Sequence, residues 1–440
     1  MIGLTGTRVI IVDDEEEEAL PMMKAFAKEG IPTAFFDGRI HGLPPKRKRF
    51  SGIRLAILDM DLIGGGVPDA TKSQALVKVL SSILSPENGP YAVLAWTKHP
   101  EIRELFEQHV FARPDVPKPI VTVTIEKAAF KKPKGAFDLV ALSKEIKSAV
   151  SQTTPLLLLQ TWEGNSFEAA TAVTNALSAM ASEAAGDLQT WRDSWRQTLM
   201  RLIFALAKSV GEKGLDADSS VRSFYTALNP LHSDRIESNT AQASKFLKTQ
   251  GAEILAAAQD CGAERKARVN AMLHLATENL DQFAPGNIYK YSENRNPRGI
   301  PKSGDLLDEI IQPNQPDAAR ARILGASVRL LTEASAPCDH AQQNIRLSRL
   351  IAGLAVPIAE IGRIKKGAGF IWSFGPVFLD VQGHTTGQYQ LFFSARHVIS
   401  PDVKHIRKKR AVIRLRGQAL ADLQSWFGHH VSRPGVMLLN

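Results

Sequence analysis

The feature that most constrains this chain is a rhythm in its first 150 residues, where apolar runs of strand length alternate with longer amphipathic stretches. The runs 8–13 (RVIIVD), 31–36 (IPTAFF), 54–59 (RLAILD), 91–96 (YAVLAW) and 120–125 (IVTVTI) predict strands, and 15–29, 70–84, 100–112 and 138–150 predict the helices between them. Strand, helix, strand is the repeating unit of a parallel sheet flanked by helices. The expected fold is therefore α/β, a doubly wound sheet of five parallel strands. One crossover departs from the rhythm. Residues 37–52 (DGRIHGLPPKRKRFSG) hold Pro44 and Pro45, which lack backbone donors and resist a helix interior, so a basic loop or a helix cut to a turn is expected there.

Beyond residue 150 the texture changes twice. Alanine- and leucine-rich segments predict helices near 165–185, 187–211, 217–229, 238–260 and 263–282, with polar breaks at 211–214 and at Asn229 and Pro230. The proline- and glycine-rich stretch 283–304 looks like a connector. Further on, 321–335, 368–380 and 388–399 have strand-like composition, and 410–428 predicts a helix. The 440 residues exceed one ordinary core. The expected domains are 1–150, a parallel sheet; 151–315, a helical domain or connector; and 316–440, an α+β domain.

Charge separates these regions. The net +9 divides into 21 Lys and Arg against 19 Asp and Glu in 1–150, 16 against 19 in 151–315, and 17 against 7 in 316–440. A concentrated basic excess suggests a polyanionic partner, although a basic surface also serves solubility alone. Its centre is the run 404–410 (KHIRKKR), followed by Arg414 and Arg416 and expected to lead into the final helix. Cations at a helix N-terminus oppose the dipole. That leaves two readings: phosphate binding, with nucleic acid contacted through Arg407, Lys408, Lys409, Arg410 and Arg414, or a solvated face. Only Cys261 and Cys338 are present, too few for a disulfide framework and suited to a reducing compartment. No apolar run reaches the ~18 residues of a membrane span, so a soluble, cytoplasmic protein with no membrane partner is expected.

In an open parallel sheet, ligands bind beyond the carboxyl ends of the strands. The expected strand ends carry Asp13 and Asp14, Asp59, Thr97, and Glu126 with Lys127. In these residues the segment resembles the receiver domain of two-component response regulators, a flavodoxin-like fold. The match lies in IIVDDE for the paired acids, AILDMDL for the phosphoacceptor strand, VLAWT for the signalling threonine and VTIEK for the lysine. The resemblance implies that Asp59 is the phosphoacceptor and that Asp14 and Asp59 ligate Mg²⁺, with Asp13 assisting through water. Lys127 would hold a phosphoryl oxygen, and Thr97 would report its arrival. Asp61 is the rival acceptor, on the same face as Asp59 if the strand continues. Ala128 stands where the family places a proline, and Thr124 where it places an aromatic residue. Glu15, Glu16, Glu17 and Glu18 either strengthen metal binding or form a solvated first helical turn.

The whole chain is similar to divergent response-receiver proteins encoded in bacterial gene clusters with a histidine kinase, some associated with phage defence. That likeness rests on APCDHAQ (336–342), WSFGPVFLD (372–380) and LADLQSWFGHHVSRPG (420–435). It implies a histidine kinase as partner, an effector protein or a second copy of the chain as further partners, and a role in relaying or buffering a phosphoryl signal, with no output-enzyme motif. Two alternatives stay open: a basic C-terminal domain that binds or cuts nucleic acid, and a pseudo-receiver that is never phosphorylated. Cys338, Asp339 and His340, with His397, His405, His429 and His430, pose a metal or nucleophile question against plain packing. In a strand, Cys338 and His340 would share a face and Asp339 would not.

Overall fold

The computed structural model describes the chain except for 1–5, 64–65, 98–100, 131, 133–136, 152–153, 183–186, 211–215, 257–260, 279, 281–282, 293–299, 301, 312–314, 342–344, 364–368, 382–383 and 432–440. The expected break at 211–214 and the end of the phrase at 420–435 lie outside the described residues. The chain divides into two compact units, Met1–Thr174 with His232–Ala256, and Asn175–Leu231 with Ala257–Asn440. No described helix is long and apolar enough to cross a membrane.

The first unit contains the expected five-stranded parallel sheet. Its strands are β1 (Val9–Val12), β2 (Thr33–Phe36), β3 (Leu55–Asp59), β4 (Ala92–Thr97) and β5 (Val121–Glu126), in the order β2-β1-β3-β4-β5. Val9 pairs with both Thr33 and Leu55, so β1 is flanked on either side and the strand order reverses between β1 and β3. Helices α1 (Glu16–Lys28), α2 (Asp69–Ile83), α3 (Ile102–Ala112) and α4 (Leu139–Ser151) cover the two faces. The period of two in β3 shows how. Ala56 and Leu58 meet Leu76, Leu80 and Phe106 of α2 and α3, while Leu55 and Ile57 meet Met22, Phe26, Leu142 and Ile146 of α1 and α4. Strands covered on both sides are apolar at every position rather than at alternate ones.

The irregular crossover is two short 3₁₀ turns, Ile40–Gly42 and Lys46–Lys48. Phe50 closes it: its N–H donates to the Ile83 carbonyl, and its ring meets Phe36 edge-on at 6.1 Å. After α4 the long helix α5 (Thr154–Ala181) begins well ahead of the expected residue 165, because Pro155 lies in its first turn, where a missing N–H costs nothing. A forked ion pair binds α5 to the sheet, with Arg54 Nη2 2.6 Å and Nε 2.9 Å from the two oxygens of Glu163.

Asn229 and Pro230 do not break the helical region. Helices α6 (Leu188–Val210) and α7 (Ala217–Ala256) follow, and Pro230 lies inside α7, joining the two helices expected there. A proline removes one backbone donor and weakens a helix locally, yet leaves the bonds on either side intact.

The second unit is built on a seven-stranded, wholly antiparallel sheet. After α8 (Ala263–His274) come β6 (Leu275–Ala276), β7 (Asn287–Lys290), β8 (Val328–Glu333), β9 (Leu350–Pro357), β10 (Ile371–Leu379), β11 (Gly387–Ile399) and β12 (Ile413–Leu415), in the order β10-β11-β9-β8-β7-β12-β6. The expected boundary at 315/316 falls inside this unit, because β6 and β7 lie ahead of it. Helices α9 (Ser303–Ile310) and α10 (Asp317–Ala326) bury Leu306, Leu307 and Ile323 on one face of the sheet. The last helix, α13 (Gly417–Val431), after the short α11 (Pro337–Ala341) and α12 (Val403–Ile406), buries Leu420, Leu423 and Phe427 on the other.

Two expectations change here. Residues 410–416 do not open the final helix, because Ile413 and Arg414 pair with Ile288 and Asn287 of β7; the helix starts at Gly417 and runs through Gly428. Residues 321–326 are helical, and the strand begins only at Val328. The C-terminal phrases of the sequence meet in space: Trp372 Nε1 of β10 donates to Asp422 Oδ2 of α13 at 2.8 Å, and Trp426 Nε1 donates to the Gly369 carbonyl at 3.0 Å.

Candidate metal centre

Strand β1 ends in Asp13 and Asp14, and its neighbour β3 ends in Asp59, so three carboxylates emerge side by side where the strand order reverses. One oxygen from each lies within 4.8 Å of the others. Local bonds aim two of them. Asp13 Oδ1 accepts the Glu15 N–H at 2.9 Å and Asp59 Oδ1 accepts the Asp61 N–H at 3.1 Å, each closing a turn from an aspartate to the residue two positions on. The second oxygens, both Oδ2, are left to face Lys127.

Lys127 follows β5 in the 3₁₀ turn Lys127–Phe130 and is 1% exposed. Its Nζ lies 2.9 Å from Asp59 Oδ2, 3.1 Å from Asp13 Oδ2 and 2.7 Å from Glu18 Oε2. The indole of Trp96, paired in register with Asp59, lies with its ring centre 6.0 Å from Nζ. The chain thus supplies an aromatic neighbour for the lysine from β4, where position 124 holds a threonine.

One ammonium among four carboxylates leaves the pocket strongly negative. Burial pushes the Asp13 carboxyl up to about 6, with the Asp59 charge adding to the shift and Lys127 offsetting part of it. Asp14, at the solvent rim, is also raised, by partial desolvation and then by the charges of Asp59 and Glu15. For Lys127, burial works against the charged form, but Asp59, Asp13 and Glu18 outweigh it and hold the ammonium above its ordinary range. A hard divalent cation with oxygen ligands suits such a donor set. The three aspartates could hold a metal ion.

Thr97 ends β4, is fully buried, and stands one residue beyond the register partner of Asp59. Asp61 is not in the acidic group. β3 stops at Asp59, and the Asp61 carboxylate instead accepts an ion pair from Lys72 of α2 at 2.5 Å. Of the four glutamates, Glu15, Glu16 and Glu17 are exposed, as a solvated first turn requires, but Glu18 turns inward onto Lys127. Nothing in a run of four identical residues marks the last as different. The phase of the helix does, since it sets one position against the sheet end.

In the second unit, Arg407, Lys408 and Arg410 are exposed in the turn after α12, Lys409 is partly covered, and Arg414 lies in β12. The basic run therefore does not sit at the N-terminus of the last helix. Arg416 does, but its Nε donates to the Leu275 carbonyl at 2.9 Å, which accounts for it structurally. Cys338, Asp339 and His340 occupy the short helix α11, not a strand. Cys338 is exposed, whereas His340 stacks on Phe283 at 4.5 Å, its Nε2 3.6 Å from the buried Glu333. His397 Nε2 meets Glu309 at 3.2 Å. Among the described residues, these histidines and Cys338 form no metal-binding group; the three aspartates do.

No protein-family model matches this chain, and no curated protein matches it.

Proposed function

We propose that the first unit is a receiver that takes a phosphoryl group from a histidine kinase onto Asp59. The observation that carries this reading is the convergence of Asp13, Asp14, Asp59 and Lys127 at the reversal point of a 2-1-3-4-5 parallel sheet. In the transfer, an Asp59 carboxylate oxygen forms a bond to phosphorus while the bond from phosphorus to the donor nitrogen breaks. The electron pair leaves on the imidazole, which takes up a proton. Lys127 lies where it can neutralise a phosphoryl oxygen, and Asp61 keeps out of the way through its pair with Lys72. Mg²⁺ held by Asp13, Asp14 and Asp59 would neutralise charge developing on the phosphoryl group. The phosphorylated chain then relays its state to an effector protein or buffers phosphoryl groups.

The test is labelling by a small phosphodonor such as phosphoramidate. Mg²⁺-dependent, hydroxylamine-labile phosphate is expected on the wild-type chain and on Asp61→Asn, and none on Asp59→Asn. Label retained by Asp59→Asn would move the acceptor elsewhere. A chain that neither labels nor binds Mg²⁺ would be an interaction module only.

A second reading concerns the other unit. Lys404, Arg407, Lys408 and Arg410 are exposed, and among the described residues none has an acidic partner. We infer nucleic-acid binding through this turn. Affinity should fall with salt by a log–log slope of about −0.9 per phosphate contact, and Arg407→Ala with Lys408→Ala should lower that slope. No binding at 50 mM salt would remove the reading.

A further inference from the structure

Glu18 is the one carboxylate at Lys127 that the transfer does not use. An ammonium carries three N–H groups, and three acceptors surround this one, at 2.7 Å (Glu18), 2.9 Å (Asp59) and 3.1 Å (Asp13). Nζ is sealed from water, so no other donor direction faces solvent. A phosphoryl oxygen arriving on Asp59 can reach the ammonium only if one acceptor leaves. Asp59 carries the phosphoryl group and Asp13 is fully buried. Glu18 is partly exposed, stands in the first turn of α1 beside solvated glutamates, and has a flexible side chain that can swing outward.

We propose that Glu18 is a positioning residue that occupies the phosphoryl-oxygen place at Lys127 in the unmodified chain and is displaced from it on phosphorylation. The proposal rests on the reading of Asp59 as the phosphoacceptor. Its consequence is a carboxylate released into solvent at the start of α1 whenever the site is charged, so the surface of that helix differs between the two states. It also means that the resting site works against its own product, because the phosphoryl group must compete with an anion already in place.

The measurement is binding of beryllium trifluoride, a phosphoryl mimic, in the presence of MgCl₂ to the full chain. Replacing a charged acceptor with a neutral one roughly halves the strength of such a bond, so Glu18→Gln is expected to tighten binding about tenfold, while Glu17→Gln, which removes an exposed charge one residue away, changes it less than twofold. Glu18→Ala should behave as Glu18→Gln does. In a Lys127→Met background the Glu18 effect should vanish, which a purely structural role or a general charge effect would not produce. Equal shifts for Glu17→Gln and Glu18→Gln, or no shift for Glu18→Gln, would overturn the proposal while leaving the receiver reading intact, provided that the wild type binds and Asp59→Asn does not. Absence of binding in wild type and all variants would overturn both.

Discussion

Asp13 and Lys127 lie 3.1 Å apart with almost no exposure to water, yet the pair is not balanced, since the same ammonium also serves Asp59 and Glu18. Such a pocket is held together by one cation and strained by surplus negative charge.

That surplus has a pH signature. The Asp13 carboxyl rises from 3.8 to about 6 in the folded chain, so the folded state holds this proton more tightly than the unfolded state does. The stability it contributes is complete below about pH 4 and is lost as the pH rises through 6. Asp13→Asn should therefore stabilise the first unit at pH 8, by on the order of 2 kcal/mol, and change it little at pH 4. Urea denaturation at the two pH values measures this. A variant less stable at pH 8 than at pH 4, relative to wild type, would refute it.

Removing the cation should do the opposite. Lys127→Met leaves Asp13, Asp59 and Glu18 facing one another with no positive partner, and breaking a buried pair in this way costs about 3–5 kcal/mol. Added Mg²⁺ should restore part of the loss, by mass action on the folded state. A denaturation midpoint that ignores both the substitution and the cation would show that the carboxylates do not share one pocket.

The other unit offers a packing test. Gly353 in β9 pairs with Phe393 of β11 and Leu330 of β8, and a Cβ there would collide with the Phe392 carbonyl oxygen and the Phe393 ring. Gly353→Ala should cost about 3 kcal/mol through overpacking, read as an earlier urea transition. Wild-type stability would mean that β9 and β11 do not approach so closely.

The N-terminal sheet was legible because both of its faces are covered, which makes each strand a solid apolar block ending abruptly in an acid. Asp13, Asp14, Asp59 and Lys127 follow from that ending. Glu18 does not, since its role depends on how a helix is rotated against a strand end. In the second unit the signals fail for other reasons. The two residues of β6 are too few to show a period, and β9 (LIAGLAVP) is an apolar run as compatible with a buried helix as with a strand. The strand β12 is three residues long, and its adjacency to α13 merged the two into one apparent helix. Proline at 230 misled because it weakens a helix without ending it.

Trp96 gives the pocket an optical voice. Of the six tryptophans, only Trp96 and Trp372 are buried, and Trp96 stands beside the ammonium that the three carboxylates share. Emission from an indole shifts with the electric field across its ring, and moving a charge at Lys127 or seating a cation among the aspartates changes that field at close range. The blue-edge fluorescence of the unlabelled chain therefore reports the occupancy of the site, and Trp96→Phe silences the report.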